Sequence, residues 1–132
     1  MRITADTNVL VRAVVGDDPT QAQAAVAALR AAEQIAVALP ALCEFVWVLR
    51  RVYACPVAEI SAAIRALIAA GNVRLDRAAV EAGLAQLEAG GDFADAVIAH
   101  QGQWLGGDTF VSFDRQAVAL LQRQGVAAQL LS

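Results

Sequence analysis

Lysine is missing from this 132-residue chain; all ten of its basic residues are arginines. That absence removes the P-loop, and with it the aspartyl-phosphate chemistry of receiver domains and haloacid-dehalogenase-like phosphatases, which needs a lysine near the acid. The opening ADTN, residues 5–8, also lacks the second aspartate of a DxD phosphatase start, and no GxGxxG supports a dinucleotide site. There is one histidine, His100, and there are two cysteines, Cys43 and Cys55. Three such isolated residues do not make a metal site. Both cysteines fall in or beside apolar helical patterns, which predicts reduced thiols acting as small core side chains. No apolar run approaches the roughly 18 residues of a membrane span. The N-terminus carries no basic region followed by an apolar core and cleavage site. The expectation is a cytoplasmic protein with no membrane partner.

What is present is apolar: 58% of residues are hydrophobic and the mean hydropathy is +0.52. Disorder is excluded at that composition. The length suits one domain over residues 1–132, large enough to bury a core without staples. Much of the apolarity is alanine, which forms helices and permits close helix packing. The net charge of −3 argues weakly against a nucleic-acid partner. Setting four acids aside for a metal leaves nine against ten arginines, so the remaining surface is close to neutral. Arginine suits bidentate contacts to phosphate.

Along the chain, short strands alternate with helices. RITAD (2–6) reads as a strand and 7–15 as a helix stopped by Gly16. Asp18-Pro19 is a helix start, with Asp as N-cap and Pro at the first helical position. QIAVAL (34–39) is a second strand; Pro40 and Pro56 open two further helices, the second ended by Gly71. NVRL (72–75) is a strand, 76–91 and 92–107 are helices, TFVSFD (109–114) is a strand, and a helix and a last strand close the chain. This order predicts an α/β fold: a three-layer α/β/α sandwich with a central, mainly parallel, short-stranded sheet. Ligands of such folds sit at the carboxyl ends of the strands.

The acids are placed for that edge. Asp6 ends the first strand and Asp114 the fourth. Glu44 lies one turn into the helix after the second strand, and Asp92 and Asp95 open the helix before the fourth. Each has a plain structural alternative. Asp6, Thr7, Asp92 and Asp114 can cap helices, Asp95 can complement a helix dipole, and Glu44 can face solvent. Those alternatives treat the acids singly and leave their common edge unexplained. Clustered carboxylates repel one another, and a divalent ion removes the conflict. An all-oxygen donor set suits Mg²⁺ or Mn²⁺. Metal-assisted hydrolysis of a phosphodiester is the natural task.

The set ADTNVL, an isolated Glu44 in a helix, DFADAVIAH and FVSFDR resembles the PIN domain family over essentially the whole chain. More narrowly it resembles the VapC-type ribonuclease toxins of toxin–antitoxin pairs. The resemblance implies that Asp6, Glu44, Asp95 and Asp114 hold Mg²⁺ or Mn²⁺, with Asp92 as an additional metal-side acid. It implies supporting roles near these acids for Thr7, Asn8 and Ser112. It also implies RNA cleavage, a homodimer and a small cognate antitoxin.

Arg12, Arg50, Arg51 and Arg115 are candidates for holding the RNA backbone, against the ordinary alternative of solvated or locally paired arginines. His100 is expected to be satisfied or exposed, and the mechanism needs no histidine base. Phe45, Trp47, Tyr53 and Trp104 are expected in the core, a subset being available for a protein interface. The competing reading is a catalytically silent module that binds RNA or protein.

Overall fold

The computed structural model describes all 132 residues, which form two compact units, Met1–Asp76 and Arg77–Ser132. The first unit runs β1 (Arg2–Thr4), α1 (Thr7–Val14), α2 (Pro19–Ala31), β2 (Gln34–Ala36), α3 (Leu39–Arg51), α4 (Val57–Ala69) and β3 (Val73–Arg74). The second runs α5 (Arg77–Glu88), α6 (Phe93–Trp104), β4 (Phe110–Ser112), α7 (Arg115–Arg123) and β5 (Ala128–Leu130).

Every strand pairing is parallel, as the strand–helix alternation predicts. In the first unit the order is β1-β2-β3, with Ile3 opposite Ile35 and Ile35 opposite Val73. The ladder outlasts the strands by one residue. Ala5 N–H donates to the Ala36 carbonyl at 3.0 Å, and Val37 N–H to the Arg74 carbonyl at 2.9 Å. In the second unit β4 pairs with β5, Phe110 opposite Ala128. The chain is thus mixed α/β with seven helices and parallel strands, the class of an α/β/α fold, and its strands are shared between two sheets instead of one. A strand's apolar pattern shows which face is buried; it does not name the strand's neighbour.

In the first unit α1 packs on α2 and α3, and α3 on α4. Leu42, Phe45, Leu49, Ile60 and Ile64 are essentially inaccessible. Local chemistry sets the starts. Asp18 accepts from Gln21 N–H at 3.1 Å with Pro19 behind it, the arrangement expected from Asp-Pro. In the second unit α5 packs on α6, and α7 on β4 and β5. Ala96, Ala99 and Leu121 form a core cluster flanked by Phe110 and Ala128. Gly83 is needed for the α5–α6 contact: a Cβ there would fall 2.5 Å from Cε2 of the buried Phe93 ring.

Two expectations about aromatic and cysteine residues change. Phe45 is core, but Trp47 is 59% exposed and Trp104 81% exposed. Trp47 follows the buried Phe45 and Val46 on a single helix, so it turns outward. Cys43 and Cys55 are free thiols as expected, but only half-buried, and burial pushes the Cys43 thiol up.

Candidate metal centre

Each unit carries one group of the predicted acids. In the first, β1 and β2 run parallel, so the segments that leave them emerge at the same edge. Asp6 leaves β1 as the N-cap of α1, and Glu44 projects from α3 after β2. Both line a cavity of about 340 Å³ together with Thr7, Asn8, Arg12 and Tyr53. Asp6 Oδ1 accepts from Thr7 N–H at 2.7 Å, so the capping expectation and the cavity position hold together. Thr7, itself buried, donates its hydroxyl to Glu44 Oε2 at 3.4 Å. Glu44 is exposed, although its sequence neighbours Phe45 and Val46 are buried. It has the open side of α3.

Arg12 lines the same cavity, with Nη1 2.9 Å from Asp17 Oδ1 and 3.5 Å from the Tyr53 hydroxyl. Tyr53 donates to Asp17 Oδ2 at 3.0 Å. The arginine is therefore paired locally, as the ordinary reading allows, and still faces the acids' cavity. Tyr53 is half-buried at this rim and not in the core. Neither Tyr53 nor Asp17 is among the residues predicted for the site. The only signal in the sequence is an aspartate five residues after Arg12.

In the second unit, Asp92 is the N-cap of α6 but makes no side-chain capping bond. Asp95 follows in the first turn. Burial first, then the charges of Asp92 and Asp114, hold the Asp95 carboxyl above the usual carboxylate range. Those three acids therefore share one field. Asp114 caps α7 fully, Oδ1 accepting from Ala117 N–H at 3.0 Å. Ser112 Oγ accepts from Asp114 N–H at 2.9 Å and so fixes the backbone from which the carboxylate springs. In neither unit do three or more His, Cys, Asp or Glu side chains gather closely enough to hold a metal unaided.

Gln86 is a residue that sequence reasoning misses. It is fully buried, donates to the Ala117 carbonyl at 3.4 Å, and accepts from Gln124 Nε2 at 2.9 Å. It ties α5 to the first turn of α7, the turn that Asp114 caps. Its signal is a polar residue seven after Ala79 and three after Gly83, on the buried stripe of α5. His100 departs from expectation too: its Nε2 is buried without a partner. Of the other arginines, Arg51 and Arg115 are exposed, and Arg50 is half-buried.

The donor types are those that a hard divalent ion takes. They are carboxylates, with a threonine and an asparagine beside Asp6 and Glu44. Asp6 and Asp114 cap the helices that follow β1 and β4, while Glu44 lies within α3 and Asp92 and Asp95 open α6 after α5. The PIN domain family model matches residues 3–120, and the chain belongs to that family. No curated protein matches the sequence. No helix is long and apolar enough to cross a membrane.

Proposed function

We propose that the chain is a metal-dependent endoribonuclease, with residues 1–132 working as one PIN domain. The observation that carries this reading is the cavity in which Asp6 and Glu44, brought from different elements, stand beside a cationic Arg12 in a protein of a nuclease-type family. Asp6, Glu44, Asp95 and Asp114 would hold Mg²⁺ or Mn²⁺, with Asp92 as a fifth carboxylate. When bound, such an ion polarises a phosphoryl oxygen and makes a water more acidic.

The protein's own groups do the rest. Thr7 orients Glu44, and Ser112 fixes the backbone of Asp114. Arg12 offers Nε and Nη2 to a phosphate oxygen, since its bonds to Asp17 and Tyr53 use Nη1. Water attacks phosphorus in line; its oxygen bonds to phosphorus as the bond to the leaving ribose oxygen breaks. The water's proton passes to a carboxylate of the set, and solvent protonates the leaving oxygen. No histidine is required. The narrower reading is a growth-inhibiting toxin of the VapC type, homodimeric and neutralised by a small antitoxin. It is supported by the motif set in family order.

The test is cleavage of a mixed RNA pool by the purified protein with Mg²⁺ or Mn²⁺, with chelator, and with Asp6→Asn. Metal-dependent cutting that the variant lacks supports the ribonuclease. Absence of both cutting and a metal-induced thermal shift would favour a silent binding module instead.

A further inference from the structure

A second cavity adjoins the first and shares two residues with it. It holds about 540 Å³ where α1 packs on α2, and Asn8, Arg12, Gln21, Ala24, Ala25 and Ala28 line it. Asn8 and Arg12 also line the cavity of Asp6 and Glu44. The two spaces therefore border the same asparagine and the same arginine. The volume is within the roughly 300–1,000 Å³ of small-ligand clefts.

The lining combines three kinds of chemistry. Next to the acids stands the Arg12 guanidinium. Its orientation is set by Asp17, and Asp17 is in turn gripped by the Tyr53 hydroxyl. Three alanines at i, i+1 and i+4 of α2, with Val9 of α1, give the cavity an apolar floor without charge. The carboxamides of Asn8 and Gln21 border it. Each carboxamide supplies both a donor and an acceptor. Gln21 lies in the first turn of α2, where the Asp18 cap fixes its backbone. A cation, an apolar wall and two carboxamides match the phosphate, the base face and the base edge of a nucleotide.

We infer that this α1–α2 cavity is a nucleobase subsite for the residue flanking the scissile phosphate, with Arg12 as the bridge from phosphate to base. The inference rests on the ribonuclease reading and deepens it: substrate preference at one flanking position is set by Gln21 and Asn8. The alanine floor lacks the bulk to reject either a purine or a pyrimidine, so discrimination comes from the base edge.

The experiment compares two substrates of the same chemistry. Bis(p-nitrophenyl) phosphate needs only the acidic cavity; a randomised single-stranded RNA needs the subsite as well. Two variants are made in α2. Ala28→Trp fills the floor, and Gln21→Leu removes the edge contact without adding volume. With Mn²⁺ present, Ala28→Trp should raise KM for RNA about tenfold and leave bis(p-nitrophenyl) phosphate hydrolysis at the wild-type rate. Gln21→Leu should redistribute the cut sites, read by sequencing the product ends, and likewise spare the small diester. If neither variant changes RNA KM or the cut-site pattern while the wild type cuts both substrates, the subsite is wrong and the nuclease stands. Equal losses on both substrates in both variants also overturn it, because the cavity would then serve only the fold. A wild type inactive on both substrates and unshifted by Mn²⁺ in a melting curve removes the nuclease reading and the subsite with it.

Discussion

Thr7 and Glu44 are 37 residues apart in sequence, and the Thr7 hydroxyl donates to Glu44 Oε2 at 3.4 Å. This one bond links the first turn of α1 to α3 at the floor of the acidic cavity. Thr7→Val keeps the shape and removes the donor. The bond is long, so the stability loss should be at the low end of the roughly 0.5–1.5 kcal/mol of a net hydrogen bond. RNA cleavage should fall about tenfold, and Thr7→Ser should restore it. Initial rates with a melting curve for each variant decide the matter; Thr7→Val cutting at the wild-type rate would show that Glu44 needs no such support.

Asp114 has two separable duties. Its cap on Ala117 N–H can be kept by asparagine, which caps as well as aspartate, while the charge is removed. Asp114→Asn should melt near the wild-type temperature and lose metal-dependent cleavage. Asp114→Ala should lose both cleavage and about 1 kcal/mol. Retained cleavage in the asparagine variant would reduce Asp114 to a helix cap.

Asp95 gives a pH-dependent signature. Its folded-state pKa is raised, so the folded chain holds the Asp95 proton more tightly than the unfolded chain does. Its ionised form therefore subtracts stability above that raised value. The subtraction is relieved as pH falls through the folded pKa toward the ordinary 3.8. In chelator at pH 7, Asp95→Asn should be at least as stable as the wild type, and the difference should close on acidification toward about pH 4. Millimolar Mn²⁺ should reverse the order, because only the wild type gains from binding. A variant less stable than the wild type in chelator at neutral pH would mean that Asp95 is held by a favourable partner.

Gly83 and Phe93 form the tightest steric requirement in the second unit. Gly83→Ala places a methyl 2.5 Å from a ring that is buried and has nowhere to swing. Overpacking of this kind costs about 1–3 kcal/mol, a fall of several degrees in melting temperature. Adding Phe93→Leu should recover part of the loss, since the two sites share one space. Strictly additive losses would show that the glycine serves some other purpose.

Elements governed by neighbours in sequence are legible from the residues alone. Asp18-Pro19 marks the start of α2 to the residue, and a glycine or proline stands within two residues of at least one end of each other helix. The edges of β1 are less so: RITAD promises five residues, yet Asp6 is diverted to cap α1 and the strand ends at Thr4. Strand partners are set by packing far along the chain, so the division into β1-β2-β3 and β4-β5 has no local sign. The candidate site follows the same division. The acids are visible from their positions after strands. Tyr53, by contrast, enters the acidic cavity through Asp17, 36 residues away, and no local pattern records that meeting.

Asp6 and Asp114 each have one carboxylate oxygen gripped by a backbone N–H at a helix start. Their rotamers are thus frozen when the helices form, before any ligand arrives. Ordering a side chain at the moment of binding subtracts from affinity, by about 0.5–1.5 kcal/mol for each flexible group. Here that loss is already absorbed in folding the helix. Binding at these two acids then resembles docking onto a rigid surface more than the gathering of loose arms. Its strength depends correspondingly little on the entropy of the side chains themselves.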